Sequence, residues 1–356
     1  MTEIVETTEV HRVTQTDGPA SEVKKAPPRA SKLPVLFQKT QRLVAELEAK
    51  LDATFLSYWT SCNGSVCWSD VVGLHEILQT IGPQQKIVLF LKSDGGSGLA
   101  ALRIVHLLRH YAPRLIAFVP LDCASAATMI ALGANEIHMG PMAYLTAVDT
   151  SLTHDLSPVN NFNRAVSVSQ DELTRVVDLW RREANEKSPN PYQALYQHVH
   201  PLVVGAVDRA SSLSIKVCTE ILSYHMEDRD EATKISNHLN KDYPSHDYPI
   251  TLEEAKLIGL KVQPLEADLN FLLLQLNKLY SEMGQKSYTF SDEHHAHDNE
   301  ILNILEGRNI QVYYQNDTDR HYRKEERRWV RTNDESSWRK IERKGSRTHK
   351  SVFHIR

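Results

Sequence analysis

The chain has 356 residues, of which 41% are hydrophobic and 24% are charged, and its formal net charge is -4. This composition is typical of a soluble globular protein with one large domain or two modest ones, and it excludes collagen-like and disulfide-scaffold proteins. No window approaches the roughly 18 uninterrupted apolar residues that a membrane-spanning helix needs, and the first residues lack the apolar core of a signal peptide. We therefore expect a cytoplasmic protein without membrane contact.

The four cysteines are too few and too irregularly spaced for a disulfide framework in a chain of this size. Cys62 and Cys67 form one close pair, but no second pair of Cys or His follows at zinc-finger spacing. We expect reduced thiols, no metal site and no cofactor.

Residues 1–34 are rich in Thr, Glu, Pro and Ser. This composition predicts a disordered arm, because it offers too little apolar surface to offset the entropy of ordering.

Apolar residues at helical spacing then predict a helix from Leu36, FLSYWTSC predicts a short strand, and a second helix is expected from Ser69.

The most regular stretch runs from Lys86 to Pro120. KIVLFLKS is an apolar run of strand length, DGGSG is a turn, LAALRIVHLLRHYA has helical spacing, and RLIAFVP is a second apolar run. This order predicts a βαβ unit with a buried parallel sheet, and therefore an α/β fold. DCASAATMIALGA then predicts a tight turn into a helix of small residues, and NEIHMGPMAYLTAVDT predicts two short strands.

Long amphipathic helices are predicted after Ser167, in SQDELTRVVDLWRREANEK, the stretch 190–226 and EDRDEATKISNHLNK. We interpret them as a helical extension of the α/β core. Thr251 and Glu254 have the spacing of a capping box and predict a further helix, which precedes a final strand ending near Ala267.

Residues 268–319 are predicted to form an amphipathic helix and a polar linker, and residues 320–356 a basic tail with 13 Lys or Arg against 5 Asp or Glu. One interpretation of the tail is contact with nucleic acid or an acidic partner, helped by Trp329 and Trp338. The other, which we favour, is a solvated, partly ordered extension, because acidic residues are interspersed and no nucleic-acid-binding motif is present.

Two local features could carry chemistry. In DGGSG, residues 94–98, glycines allow main-chain N–H groups to turn toward an oxyanion or phosphate at a helix N-terminus. The loop lacks the Gly-Lys-Ser/Thr of a Walker motif and the six-residue dinucleotide fingerprint.

Ser125 follows the next strand and begins a helix among small residues, so it is either a nucleophile or a helix cap. We favour the nucleophile, because DGGSG lies 30 residues earlier on the preceding strand.

Together these segments resemble the Clp-protease/signal-peptide-peptidase-A/crotonase superfamily, and most closely its serine dehydrogenase proteinase branch. The resemblance rests on the Gly-Gly turn, small-Ser-Ala-small-Thr, ALGANEI, MGP, NPYQALYQHVHPLVVGAVDRA and SHDYPITLEEAKLIGL. It implies a peptidase domain over residues 35–267 with a βαβ spiral core, and it covers neither the N-terminal arm nor the basic tail.

The resemblance also implies roles for individual residues. Ser125 would be the nucleophile, and the amides of Gly95 or Gly96 and of Ala126 would form the oxyanion hole. In Clp-type relatives the catalytic Asp immediately precedes the segment that matches YPITLEEA, and Asp247 occupies that position.

The general base is less well matched, because the Clp-type histidine would fall at about Val148 or Asp149. His154 is the nearest histidine and our first candidate, and His246 beside Asp247 is the second. The peptidase-A branch uses a lysine from the downstream helical region instead, where Lys187 and Lys216 are available. The usual Leu-Gly-Pro-Ile-Asp-Pro-Gln after Met-Gly-Pro is also replaced here, by a segment that keeps the Asp but not the Gly-Pro and Pro-Gln elements.

The sequence therefore predicts a serine peptidase that acts on a peptide or protein substrate. A crotonase-like acyl-CoA enzyme would use the same paired amides without a serine nucleophile, and a catalytically inactive scaffold that presents the basic tail to a partner is the third interpretation. Long amphipathic helices need a surface on which to bury their apolar stripes, so we also expect a homo-oligomer.

Overall fold

The computed structural model describes residues 34–149, 151–161, 164–184, 188, 190–290 and 292–355. The predicted disordered arm lies outside these residues, except for its last residue. The helices of the described chain are α1 (Phe37–Leu51), α2 (Trp68–Ile81), α3 (Gly98–Tyr111), α4 (Ala126–Leu132), α5 (Gln170–Glu183), α6 (Pro191–Leu195), α7 (Pro201–Leu222), α8 (Arg229–Lys241), α9 (Leu252–Leu257) and α10 (Ala267–Met283). None of these helices combines the length and apolarity needed to cross a bilayer.

Fifteen strands accompany these helices in the described chain. They are β1 (Thr54–Thr60), β2 (Lys86–Lys92), β3 (Arg114–Val119), β4 (Asp122–Cys123), β5 (Glu136–Met139), β6 (Tyr144–Leu145), β7 (Ser151–Leu152), β8 (Val168–Ser169), β9 (Val262–Pro264), β10 (Ser287–Phe290), β11 (His295–Gly307), β12 (Ile310–Arg323), β13 (Arg328–Asp334), β14 (Ser337–Lys344) and β15 (Arg347–Phe353).

One large mixed sheet organises the molecule, with the strand order β15-β14-β12-β11-β1-β2-β3-β5-β9. Neighbouring strands from β1 to β9 run parallel, whereas β11 is antiparallel to β1. β10 pairs with β11, and β13 pairs with β12. The predicted α/β class, the βαβ unit and the two short strands around the Gly-Pro turn are confirmed.

The C-terminal part differs from the sequence prediction. Residues 287–353 form strands of the main sheet instead of a polar linker and a basic tail. Most of β11 and the first half of β12 are buried on both faces: Leu305 and Val312 are buried, as are the polar residues Asn303, Glu306 and Gln311, which hydrogen-bond to other side chains. Because hydrogen-bonded polar side chains occupy part of these buried positions, the composition of the strands resembles that of a polar linker.

Each face of the sheet has its own apolar core. Along β1, Leu56 and Tyr58 point into a core shared with α2, α3, α4, α7 and α8. Phe55 and Trp59 point to the opposite face, where α1 and α10 cover the sheet. Because α10 and the C-terminal strands contribute to these cores, packing is continuous across the predicted boundary at residue 267.

The helical extension is α5 to α8, between β8 and β9. The stretch 190–226, predicted as one helix, contains two helices, because Pro201 starts α7 at the first helical position and His200 caps it. Proline is well tolerated at that position, since its missing N–H would have no partner inside the helix. α7 packs against α3, α4 and α8 and thereby reaches the carboxyl ends of the parallel strands.

Glu306 on β11 joins the two outer helices to the sheet. Its fully buried carboxylate accepts hydrogen bonds from Thr40 Oγ1 (2.7 Å), Gln41 Nε2 (2.7 Å), Tyr280 OH (2.8 Å) and Gln311 Nε2 (2.6 Å). Burial raises the pKa of this carboxyl above its ordinary value, while the four donors oppose the shift.

We expect Glu306→Ala to lower the free energy of unfolding by about 3 kcal/mol or more, because it leaves several buried donors without an acceptor. Urea unfolding followed by circular dichroism measures the loss. Glu306→Gln, which keeps an acceptor oxygen, should cost less, and Glu325→Ala on an exposed turn should cost at most about 0.5 kcal/mol. Equal losses in all three variants would contradict this role.

Candidate active site

Ser125 occupies a sharp turn between β4 and α4. Its backbone has φ 52° and ψ -117°, a conformation that a residue with a side chain rarely adopts. The side chain is half-buried and makes no hydrogen bond within the described chain, so Ser125 does not cap α4. Strain of this kind persists only where the surroundings impose it, and it is common at functional sites.

Two threonines impose this turn. The Ser125 N–H donates to Thr146 Oγ1 at 2.8 Å, and Thr128 Oγ1 donates to the carbonyl oxygen of Cys123 at 2.8 Å. Thr128 Oγ1 also accepts from the Thr146 N–H at 3.1 Å. Sequence reasoning missed Thr146 as a functional residue; the signal was its place just after β6, the strand that pairs with β4.

The Gly-rich loop packs directly against Ser125. Gly95 and Gly96 have φ values of 104° and 145°, which favour glycine. A Cβ on Gly95 would lie 2.6 Å from Ser125 Cβ, and a Cβ on Gly96 would lie 2.5 Å from the carbonyl oxygen of Val66. The predicted proximity of this loop to Ser125 is therefore present, and both positions require glycine.

The amides of this loop are not equivalent. The Gly95 N–H donates to Ser93 Oγ at 3.2 Å. Val66 donates to the Gly95 carbonyl at 2.7 Å and accepts from the Ser97 N–H at 2.8 Å, so the loop and Val66 form a short parallel bridge. In such a bridge the N–H of the central residue, Gly96, points away from Val66. Gly96 rather than Gly95 is thus the better oxyanion donor.

Ala126 is the residue predicted to supply the second donor. It is the first residue of α4, whose first-turn N–H groups have no acceptor within the helix. Its N–H and the partial positive charge of the helix N-terminus lie directly after the Ser125 side chain. Both predicted contributors to an oxyanion hole therefore flank Ser125.

His246 and Asp149 form a hydrogen-bonded pair in the same pocket. His246 Nδ1 donates to Asp149 Oδ1 at 2.7 Å, across 97 residues of sequence. The Asp149 side chain is 17% exposed and that of His246 is 41% exposed. Because Nδ1 carries the proton given to Asp149, Nε2 is left with a free lone pair, as a general base requires.

The pKa of His246 is raised above its ordinary value of 6.5. The hydrogen bond to Asp149 is the largest cause, and the charges of Asp149 and Asp247 act in the same direction, while burial opposes them. A raised pKa makes His246 a stronger proton acceptor in its neutral form.

A cavity of about 310 Å³ connects these groups. It is lined by Gly96, Ser97, Gly98, Leu99, Ser125, Ala126, Met129, Val148, Asp149, Ser151, Ala210, Leu213, Ser214, Val217 and His246. Ser125, the Gly-rich loop and the His246–Asp149 pair lie at its polar side, and α7 forms much of its apolar wall. No hydrogen bond joins Ser125 to His246, and such bonds are often long in enzymes without substrate.

Two of the other three serines that line the cavity have hydroxyl groups engaged in hydrogen bonds. Ser97 Oγ accepts from the Ala100 N–H at 3.2 Å and caps α3. Ser214 Oγ donates to the carbonyl oxygen of Val148 at 2.6 Å. Ser125 differs from Ser97 and Ser214 in that its side chain makes no hydrogen bond within the described residues.

Three of the other predicted site residues are not brought into this arrangement, and one cannot be placed. His154 does not line the cavity, and its Nδ1 accepts from the Leu156 N–H at 3.0 Å within its own loop. Asp247 is exposed, and its charge acts on His246 without a hydrogen bond to the ring. Lys216 is exposed on α7 and does not line the cavity. Lys187 lies outside the described residues.

The structure therefore replaces His154 and Asp247 with His246 and Asp149 as the candidate base and its partner. Asp149 stands where the Clp-type histidine was expected, and His246 stands next to the position expected for the Clp-type Asp. The two residue types have exchanged places between two segments that meet in the fold. The sequence analysis named His246 as the second candidate base, but it did not identify Asp149 as the partner of that histidine.

We expect Gly95→Ala to lower the rate of hydrolysis about 100-fold, because the new Cβ would displace Ser125 from the oxyanion donors. Steady-state kinetics on a peptide substrate measures the change. Gly82→Ala is the matched control: Gly82 has φ 76°, but a Cβ there meets nothing within 4 Å. An equal rate loss in both variants would mean that backbone strain alone is responsible.

Comparisons with known proteins give limited similarity. No family model matches the chain. An uncharacterised protein of Methanocaldococcus jannaschii is 29% identical over 209 residues, which cover 57% of this chain. The alignment spans 63% of that relative, less than two thirds of its length.

Two solved structures of the membrane-bound stomatin-specific protease 1510-N are also similar. One, a serine-to-alanine variant, has a TM-score of 0.36 at 16% identity and covers 66% of this chain and 88% of its own. The other, a lysine-to-alanine variant with a substrate peptide, has a TM-score of 0.35 at 16% identity, with coverage of 65% and 81%. The function proposed below rests on the residues of this chain.

Proposed function

We propose that this protein is a serine peptidase in which Ser125 is the nucleophile, His246 the general base and Asp149 the residue that orients His246. The observation that carries the proposal is the His246–Asp149 pair in one cavity with a strained, unbonded Ser125. A nucleophile, a base and a third group that orients the base are what acyl transfer needs, whatever their order in sequence.

The chemistry follows from these positions. Ser125 Oγ attacks the carbonyl carbon of the scissile peptide bond while His246 Nε2 takes the hydroxyl proton. The oxyanion that forms accepts hydrogen bonds from the N–H groups of Gly96 and Ala126, and one such donor is typically worth about 3 kcal/mol. Protonated His246 then gives its proton to the leaving amine, and water repeats the sequence on the acyl-enzyme to release the second product.

Asp149 acts throughout by accepting the Nδ1 proton of His246. This bond fixes the ring tautomer and stabilises the imidazolium that forms when the base takes the serine proton. It also raises the pKa of His246, so the base should be neutral only above a pH somewhat higher than 6.5.

The family branch, the cellular location, the oligomeric state and the partner of the protein are part of the same proposal. Membership of the serine dehydrogenase proteinase branch of the Clp-type superfamily is supported by the motifs around Ser125, and a cytoplasmic location and a homo-oligomer remain predictions. An acidic or nucleic-acid partner of the basic C-terminal residues also stays a prediction, although those residues now belong to strands β12 to β15. Lys187 remains a candidate alternative base of the peptidase-A type.

Reaction with a fluorophosphonate tests the proposal directly. We expect one adduct per chain, mapped by peptide mass spectrometry to Ser125 and absent from Ser125→Ala, because only an activated serine reacts readily. Ser97→Ala, which changes another serine of the cavity, should still be labelled at Ser125. An adduct on a different serine, or none on folded wild-type protein, would refute the assignment.

A further inference from the structure

The C-terminal strand β11 contacts a loop that in turn contacts the Gly-rich loop, residues 94–98. We call residues 61–67, between β1 and α2, the β1–α2 loop. Its Val66 forms the parallel bridge with residues 95–97, and a Cβ on Gly96 would meet Val66 at 2.5 Å. The position of Gly96 therefore depends on the position of Val66.

β11 fixes the β1–α2 loop from the other side. Asn303 Nδ2 donates to the carbonyl oxygen of Ser65 at 2.9 Å and to Asp70 Oδ1 at 2.8 Å. Asp70 Oδ2 in turn accepts from the Cys67 N–H at 2.7 Å. Asn303 thus contacts Ser65 directly and Cys67 through Asp70, whose Oδ2 also accepts from the Tyr58 hydroxyl at 2.5 Å.

The backbones of the two segments also touch. The register of β11 against β12 shifts between Ile301 and Asn303, and the carbonyl oxygen of Leu302 accepts from the Ser61 N–H at 2.8 Å. A Cβ on Gly64 would lie 2.3 Å from that oxygen, so the loop can approach only through glycine. A bulge is a common device for redirecting backbone groups toward a neighbouring site.

A fourth contact lies at the first residues of the loop. Glu300 of β11 accepts from Asn63 Nδ2 at 3.0 Å and from Ser61 Oγ at 3.2 Å. Asn63 is exposed, whereas Asn303 is 4% exposed. The loop is therefore anchored at both ends to a strand that lies outside the region resembling the peptidase superfamily.

We propose that Asn303 is a positioning residue of the active site: through the β1–α2 loop it holds the Gly96 amide where the oxyanion forms. The inference rests on the proposed peptidase function for its effect on rate, but the positioning itself is a property of the fold. The C-terminal strands then complete the active site instead of adding a separate tail.

Asn303→Ala tests this role with two measurements. We expect kcat for a peptide substrate to fall about 10- to 100-fold with KM changed less than about threefold, because a misplaced donor weakens transition-state rather than substrate binding. Hydrogen exchange measured by mass spectrometry should speed up about 10-fold at the amides of Val66 and Ser97, whose bonds join the two loops.

Gln315→Ala is the matched control, because Gln315 is also a buried amide of these strands but donates to Asn299 instead of the loop. It should leave kcat and both exchange rates unchanged. If Asn303→Ala does not fold, Asn303→Leu replaces it, since leucine keeps the volume of the side chain but has no donor for Ser65 and Asp70; we expect the same acceleration, about 10-fold, at the same amides.

The outcomes separate the two claims. Unchanged exchange at Val66 and Ser97 in a folded variant would overturn the positioning role, and so would faster exchange with an unchanged kcat. Wild-type protein that neither hydrolyses peptides nor reacts at Ser125 would overturn the proposed function alone, because the exchange result would still show whether Asn303 holds the loop.

Discussion

His246→Ala is expected to lower kcat/KM for peptide hydrolysis at least about 10³-fold, because Ser125 then has no group to take its proton. Labelling of Ser125 by a fluorophosphonate should slow to a comparable degree, since that reaction needs the same proton transfer. Both rates are measured with protein whose circular dichroism spectrum matches that of the wild type.

His154→Ala is the matched control for this prediction. The same change of residue type is made outside the cavity, where the side chain and the amide of His154 hydrogen-bond within their own loop. We expect kcat/KM within about twofold of wild type, since a surface substitution away from the site has little effect. The reverse result, with His154→Ala inactive and His246→Ala active, would restore the first interpretation of the sequence.

Asp149→Asn is expected to lower kcat by about 10²- to 10⁴-fold, because an amide in place of the carboxylate no longer favours the tautomer with a free Nε2. It also removes the largest cause of the raised pKa of His246. Steady-state kinetics between about pH 5 and 9 gives both quantities.

The sign of the pH effect follows from the role of the base. His246 must be neutral to accept a proton, so the activity of the wild type falls as the pH drops through the raised pKa of His246, above 6.5. Without Asp149 that pKa falls, and the acid limb of the remaining activity should move to lower pH. A limb that stays in place would mean that another group controls it.

Asp247→Asn separates orientation from charge. Asp247 raises the pKa of His246 only through its charge and makes no hydrogen bond to the ring. We expect the plateau value of kcat to stay within about threefold and the acid limb to move slightly to lower pH. A loss as large as that of Asp149→Asn would identify Asp247 as the orienting residue, as the family resemblance implies.

The local features of the active site could be predicted from sequence. An apolar run of strand length, a Gly-Gly turn and a helix with small residues are each encoded within about ten neighbouring residues, and together they predicted the βαβ unit and the meeting of Gly95, Gly96 and Ser125. The long amphipathic helices were predicted for the same reason, although the break at Pro201 was missed.

The C-terminal strands were not predicted, because the information that specifies them is spread over the whole sheet. Asn303 and Glu306 look like linker residues in the sequence, and only their partners on the β1–α2 loop, α1 and α10 make them suitable for burial. Buried polar side chains interrupt the apolar residues of these strands, as Asn303 does between Leu302 and Ile304, so no long apolar run distinguishes them from polar loops.

By itself, the sequence determined the class of the fold, the turn at Ser125 and the need for glycine beside it, since these depend on local backbone geometry and short-range apolar patterns. Only the tertiary structure decided which histidine and which carboxylate pair, because His246 and Asp149 are 97 residues apart and meet through packing around α7 and the sheet. It also decided which glycine amide is left for an oxyanion: the Gly95 N–H donates to Ser93 Oγ, whereas Gly96 lines the cavity and its N–H points away from Val66.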